Sequence, residues 1–238
     1  MSDHFVQHLD LTRWSVVVGD GCDQGLCGWG NNEEQHYTES SVMVRDGVLQ
    51  IRATQLNDRI ESGKIVSAGK FSQRYGRFEA RVRLPEGRGL WPAFWLMPDN
   101  TDLRWPLAGE IDIMEWTGND PHRLIGAAHF GGLPPQNVHY SETVLMPHRW
   151  DGEWHIFALN WRPGHIQWEV DGRVYGELTP NIISSHRWPF DDGDFYVILN
   201  MAVGGTLGGQ VALEDLPATL LVDWVKVFPI SCLTNEGK

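Results

Sequence analysis

The chain has 238 residues, 31 of them acidic and 19 basic, for a formal net charge of −12. Hydrophobic residues at 42% and charged residues at 21% describe a folded globule long enough to bury a core without a disulfide scaffold. No stretch approaches the roughly 18 apolar residues of a membrane helix, and the acidic balance argues against nucleic acid, which needs Lys and Arg set against phosphates. Twelve Trp, 26 Gly and 13 Pro stand out. They point to an aromatic-rich chain with many turns.

The N-terminal MSDHFVQHLD has no basic stretch and no apolar core, so it does not read as a secretory signal; the chain is either cytoplasmic or a mature form whose leader has been removed. Cys22 and Cys27 are close enough to bridge if the loop allows, leaving Cys232 over; the other reading is three unpaired thiols. Residues 41–54 read as strand, Asp46-Gly47 turn, strand. In GRFEARVRL, Phe78, Ala80, Val82 and Leu84 alternate with polar residues, a half-buried strand ended by Pro85. Residues 154–161, then Pro163-Gly164, His165–Val170 and Asp171-Gly172 predict a meander. One helical turn is expected in 181–188, a turn at the GGTLGG of 204–209, and two last strands at Phe195–Val203 and 220–228. Many short strands with Gly- and Pro-rich turns, and no linker or repeat, predict an all-β chain: a β-jelly-roll sandwich of two antiparallel sheets forming a single domain over 1–238.

Gly109-Glu110-Ile111-Asp112-Ile113-Met114-Glu115-Trp116 carries the most information. Ile111 and Ile113 alternate with Glu110 and Asp112, so one face of the strand is carboxylate and the other core. Strict alternation would put Met114, not Glu115, on the acid face. One extra residue, a β-bulge near Met114, brings Glu115 round to join the other two. The glutamate Cα atoms would then lie about 13 Å apart, with their carboxyl groups at about 5–6 Å once the side chains lean together. That spacing suits a retaining glycosidase. Asp112 between them would help set their pKa values apart.

Trp91, Trp95, Trp105 and Trp116 bracket these acids. Indole rings match the apolar face of a pyranose, and the Trp N–H is hard to satisfy in a core. Trp14, Trp154, Trp168 and Trp224 read as core filling. His129 in GAAHF could hydrogen-bond substrate or nucleophile, or be a satisfied strand histidine. No HExxH pairing, phosphate-loop lysine or GxSxG elbow occurs, which speaks against catalytic zinc, nucleotide binding and the commonest serine hydrolases.

GWGNNEEQHYT, YGRFEARVRLPEGRGLWPAFWLMP, WPLAGEIDIMEWTG, DGEWHIFALNW, IQWEVDG, ILNMAVGG and LLVDWVKVF occur in this order. In them the chain resembles the family 16 glycoside hydrolases, specifically laminarinase-type endo-1,3-β-glucanases, over residues 28–228. The resemblance implies a concave cleft and retaining cleavage of a β-glucan polysaccharide. It matches Glu110 to the nucleophile, Asp112 to an assisting acid and Glu115 to the general acid/base. Trp91, Trp95, Trp105 and His129 match cleft positions, with Asn32, Arg74 and Trp116 as further substrate contacts. No cofactor is implied for catalysis. A structural calcium is implied on the convex face, at the Gly47 carbonyl and Asp223. His36, Glu34 and Ala128 depart from the family pattern at the cleft rim and in packing, which bears on fine specificity. An extracellular or periplasmic monomer is expected. The competing readings are the same machinery on mixed-linkage glucan or a marine galactan, and a glucan-recognition module that binds without cutting. The three acids speak against the module, and the net charge of −12 speaks mildly against sulfated galactans.

Overall fold

The computed structural model describes residues 1–99 and 102–230, so Cys232 lies outside the described residues. Two sheets face each other. One has ten strands, with a main path running Arg173–Leu178, His165–Val170, Trp154–Arg162, Gly76–Arg83, Ala218–Phe228, Val48–Leu56, Arg59–Ser62, Gln35–Tyr37. The other has eight, along Asn137–Leu145, Arg123–Gly131, Glu110–Trp116, Leu90–Pro98, Phe195–Val203, Lys64–Val66, Ser15–Val16. Pairing is antiparallel except between Gln35–Tyr37 and Arg59–Ser62. The second path runs through four strands consecutive in sequence and then jumps, Leu90–Pro98 lying between Glu110–Trp116 and the distant Phe195–Val203. The sandwich is of the jelly-roll kind.

The local chemistry explains the elements. Asp46 and Gly47 both take positive φ (54° and 75°), the tight-turn geometry that joins Val42–Arg45 to Val48–Leu56. Alternation sets the faces: Phe78, Ala80 and Val82 are buried between Arg77, Glu79, Arg81 and Arg83. Phe195–Val203 is nearly all buried, as befits a strand paired on both edges. Between the sheets lies one cluster that includes Phe78, Phe94, Ile113, Phe157, Trp161, Trp168 and Leu199.

Three expectations change. Residues 181–188 hold hydrogen-bonded turns, such as His186 N–H to the Ile183 carbonyl at 2.7 Å, and no helix. The one short α-helix among the described residues is Gly205–Gly208, inside the glycine-rich turn. Trp14 and Trp168 are core, but Trp154 and Trp224 are only half-buried. The Arg81 and Arg83 guanidinium groups lie over the Trp154 ring (4.7 and 5.7 Å to its centroid), and Lys226 lies over Trp224 at 4.1 Å. They sit on strands whose opposite face already supplies the core. Cys22 and Cys27 form a disulfide.

Candidate active site

The bulge is present. Glu110 pairs with His129 and Asp112 with Ala127, then the register slips so that Glu115 meets Ile125; two residues, Ile113 and Met114, oppose Gly126 alone. Toward the other neighbour, Phe94 faces Met114 and Trp95 faces Asp112, so the same extra residue is absorbed there. Ile111, Ile113 and Met114 are fully buried in the core, whereas Glu110 and Glu115 are half-buried on the opposite face. All three acids therefore share one face.

The pairing places neighbours around them. Glu110, His129 and His139 form one row across three strands, and Asn200, Ala93, Glu115 and Ile125 another across four. Trp105 Nε1 donates to Glu110 Oε2, and Trp91 Nε1 donates to Glu115 Oε1 at 3.0 Å. Trp105 is 39% exposed and stacks beside His129, with centroids 5.9 Å apart. Trp95 Nε1 donates to Asn200 Oδ1 at 2.7 Å. His129 Nε2 lies 3.2 Å from Asp112 Oδ2.

Electrostatics follow from this crowding. Burial, and then the neighbouring Asp112 charge, pushes the carboxyls of Glu110 and Glu115 up together to about 8, against the ordinary 4.5. Three carboxylates this close cannot all ionise cheaply, and the cluster keeps a proton at neutral pH. Burial would depress His129, but its hydrogen bond to Asp112 and the surrounding carboxylates outweigh that and raise it to about 9. Glu110, Asp112 and His129 bring ligand atoms within 4.8 Å of one another, and within this group His129 and Asp112 already form an ion pair at 3.2 Å.

The other expected site residues divide. Trp116 is a correction: it is fully buried, its Nε1 donating to the Pro121 carbonyl at 3.2 Å, so it cannot line a cleft. Once Glu115 is turned to the acid face, the next residue must turn inward. Asn32 is exposed in a left-handed conformation (φ 57°). Arg74 is exposed, donates to the Asp191 carbonyl at 3.3 Å and lies over Tyr75. Gly47 and Asp223 lie on the ten-stranded sheet, but Asp223 Oδ2 accepts from Arg81 Nη1 at 2.6 Å. Calcium there would have to displace the Arg81 guanidinium from this carboxylate oxygen.

Sequence reasoning missed a polar chain beside the acids. Glu33 accepts from Asn31 (3.1 Å), Gln35 (2.6 Å) and Tyr37 (3.3 Å), and Asn200 Nδ2 donates to the Tyr37 hydroxyl at 3.0 Å. Lys64 Nζ sits among the rings of Trp29, Trp95 and Tyr37, at 4.4, 5.1 and 5.8 Å. Burial lowers its pKa to about 8, against the pull of Glu33 and Glu110. The GNNE run was the available signal for Glu33; Lys64 had none, because its aromatic neighbours come from three separate strands or loops.

A sandwich carrying two protonatable glutamates between indole donors on one face of a sheet has the paired carboxyl groups of a glycoside hydrolase. Residues 30–216 match the sequence model of Glycosyl hydrolases family 16, and the chain belongs to that family. It is 39% identical over 236 residues to a beta-glucanase of Rhodothermus marinus, covering 92% of this chain and 80% of the relative. It is 37% identical over 252 residues to glucan endo-1,3-beta-glucosidase A1 of Niallia circulans, covering 92% of this chain but only 36% of that longer protein. The solved laminarinase catalytic domain of Thermotoga maritima MSB8 superposes with a TM-score of 0.88 at 32% identity, covering 96% of both chains.

Proposed function

We propose that this glycoside hydrolase is an endo-1,3-β-glucanase that cuts laminarin-like glucans with retention of configuration. The observation that carries the mechanism is the bulge, which sets Glu110, Asp112 and Glu115 on one face beneath Trp91 and Trp105. The two glutamates titrate as a coupled pair; with the retained proton on Glu115, the Glu110 carboxylate attacks the anomeric carbon while Glu115 gives that proton to the departing glycosidic oxygen. The bond to the leaving sugar breaks and a glycosyl ester forms on Glu110. Glu115, now ionised, takes a proton from water, whose oxygen displaces Glu110 and restores both groups. Asp112 lies beside both glutamates with His129 Nε2 at 3.2 Å from its Oδ2, and its charge is one of the causes that raise them. The two indole N–H groups each hold one carboxyl oxygen and so orient the glutamates. The 1,3-β-glucan preference is drawn from the similar glucan endo-1,3-beta-glucosidase and laminarinase. The Cys22–Cys27 disulfide supports an oxidising compartment, outside the cytoplasm.

Reducing ends released from laminarin by Glu110→Gln and Glu115→Gln test the roles. Each variant should lose at least about a hundredfold, the scale of a lost general acid or more. A near-normal rate in either would overturn the assignment. Laminarin should be cut faster than mixed-linkage glucan; the opposite order would reassign the substrate.

A further inference from the structure

A β-bulge frees backbone groups from the ladder, and buried carbonyls need donors. Here two donors arrive from the other sheet. Trp168 Nε1 donates to the Asp112 carbonyl at 2.8 Å, and the Tyr175 hydroxyl donates to the Ile113 carbonyl at 3.3 Å. Both reach across the sandwich, Trp168 from His165–Val170 and Tyr175 from Arg173–Leu178. Gly126, the single residue facing the bulge, makes this approach possible. A Cβ there would lie 2.4 Å from Trp168 Cδ1 and 2.7 Å from the Tyr175 hydroxyl. Gly126 has no positive φ to explain it; the space its missing side chain leaves is what the two donors use.

We infer that Trp168, Tyr175 and Gly126 form a brace that fixes the bulge and thereby aims Glu115, making Trp168 and Tyr175 positioning residues for proton transfer. Neither touches the cleft: Trp168 is fully buried and Tyr175 packs against the core. Their effect passes through two carbonyls in the segment that turns Glu115 outward. Without them, the extra residue has no fixed place between Asp112 and Glu115, and the carboxyl swings through a range of positions. An error of about 1 Å in a proton donor costs up to about a hundredfold in rate. The inference rests on the reading of Glu115 as general acid.

Tyr175→Phe removes one hydroxyl and leaves the ring's packing. The test compares kcat/KM on laminarin with kcat/KM on a dinitrophenyl β-1,3-glucoside, whose leaving group departs without a proton. The brace predicts a fall of about tenfold or more on laminarin, in line with one lost buried hydrogen bond, and less than about twofold on the activated substrate. The alkaline limb of the laminarin pH profile should also move. Trp168→Phe should behave alike, and Tyr140→Phe, which loses a hydroxyl bonded to Glu142 and the Glu177 carbonyl, should leave both constants unchanged. Equal losses on both substrates, or unchanged laminarin turnover in Tyr175→Phe with an unshifted profile, would overturn the inference. Glu115→Gln run alongside separates the two levels: if it keeps laminarin activity, the general-acid reading fails; if it loses laminarin activity and keeps the activated substrate while Tyr175→Phe stays normal, the brace alone fails.

Discussion

Replacing Glu115 by Gln should stabilise the protein while inactivating it. The folded state holds this carboxyl up to about 8, mainly by burial and next by the Asp112 charge, whereas the unfolded chain ionises it near 4.5. Below pH 4.5 both states carry the proton and the group contributes no difference. As pH rises from 4.5 to 8 the unfolded chain releases its proton and the folded chain does not, so stability falls at up to about 1.4 kcal/mol per pH unit. At pH 7 this comes to about 3 kcal/mol, part of it shared with Glu110, which is raised by the same causes. Gln keeps the shape and still accepts from Trp91 Nε1, but has no proton to lose. For a chain of this size, about 2–3 kcal/mol raises Tm by roughly 5–10 °C. Thermal melts of the parent and Glu115→Gln proteins from pH 4 to pH 8 would measure it. The curves should converge at pH 4 and separate with the variant above. A variant melting at or below the parent at pH 7, or a gap that ignores pH, would refute the reasoning.

Four further outcomes are expected. Arg77 bridges Glu79 and Glu169, whose carboxyl it holds below the usual range, so Arg77→Leu leaves two half-buried carboxylates unpaired and should lower Tm at pH 7 by several degrees, with the gap closing as pH falls through the Glu169 pKa. Chelators should leave Tm unchanged, because Arg81 already neutralises Asp223; a clear rise with millimolar calcium would contradict this. Trp116→Phe should lower Tm without altering KM for laminarin, as a core indole requires, whereas Trp91→Phe should lower turnover through Glu115.

Much of the site was legible because its strand breaks its own period. Glu110 and Asp112 two apart and Glu115 three further on can share a face only through a bulge, and the register between Asp112 and Glu115 slips by that one residue. The same parity places Trp116 in the core; reading it as a cleft residue let aromatic clustering override strand geometry. Hairpins such as the one at Asp46-Gly47 were legible because short-range turn chemistry sets them. Contacts made across the fold were not. Trp95 and Asn200 are 105 residues apart, and Trp168 reaches the Asp112 carbonyl over 56. Trp154 and Trp224 failed for a related reason: a sequence says that an indole is large and apolar, but not which side of a sheet it faces or that arginine or lysine will cover it.

The anomeric configuration of the first product decides the central claim, that the bulge aims two glutamates at one bond. Proton NMR of laminarin digestion, recorded before mutarotation, should show the β-anomer appearing first. An α-anomer appearing first would mean direct attack by water and would contradict a glycosyl ester on Glu110.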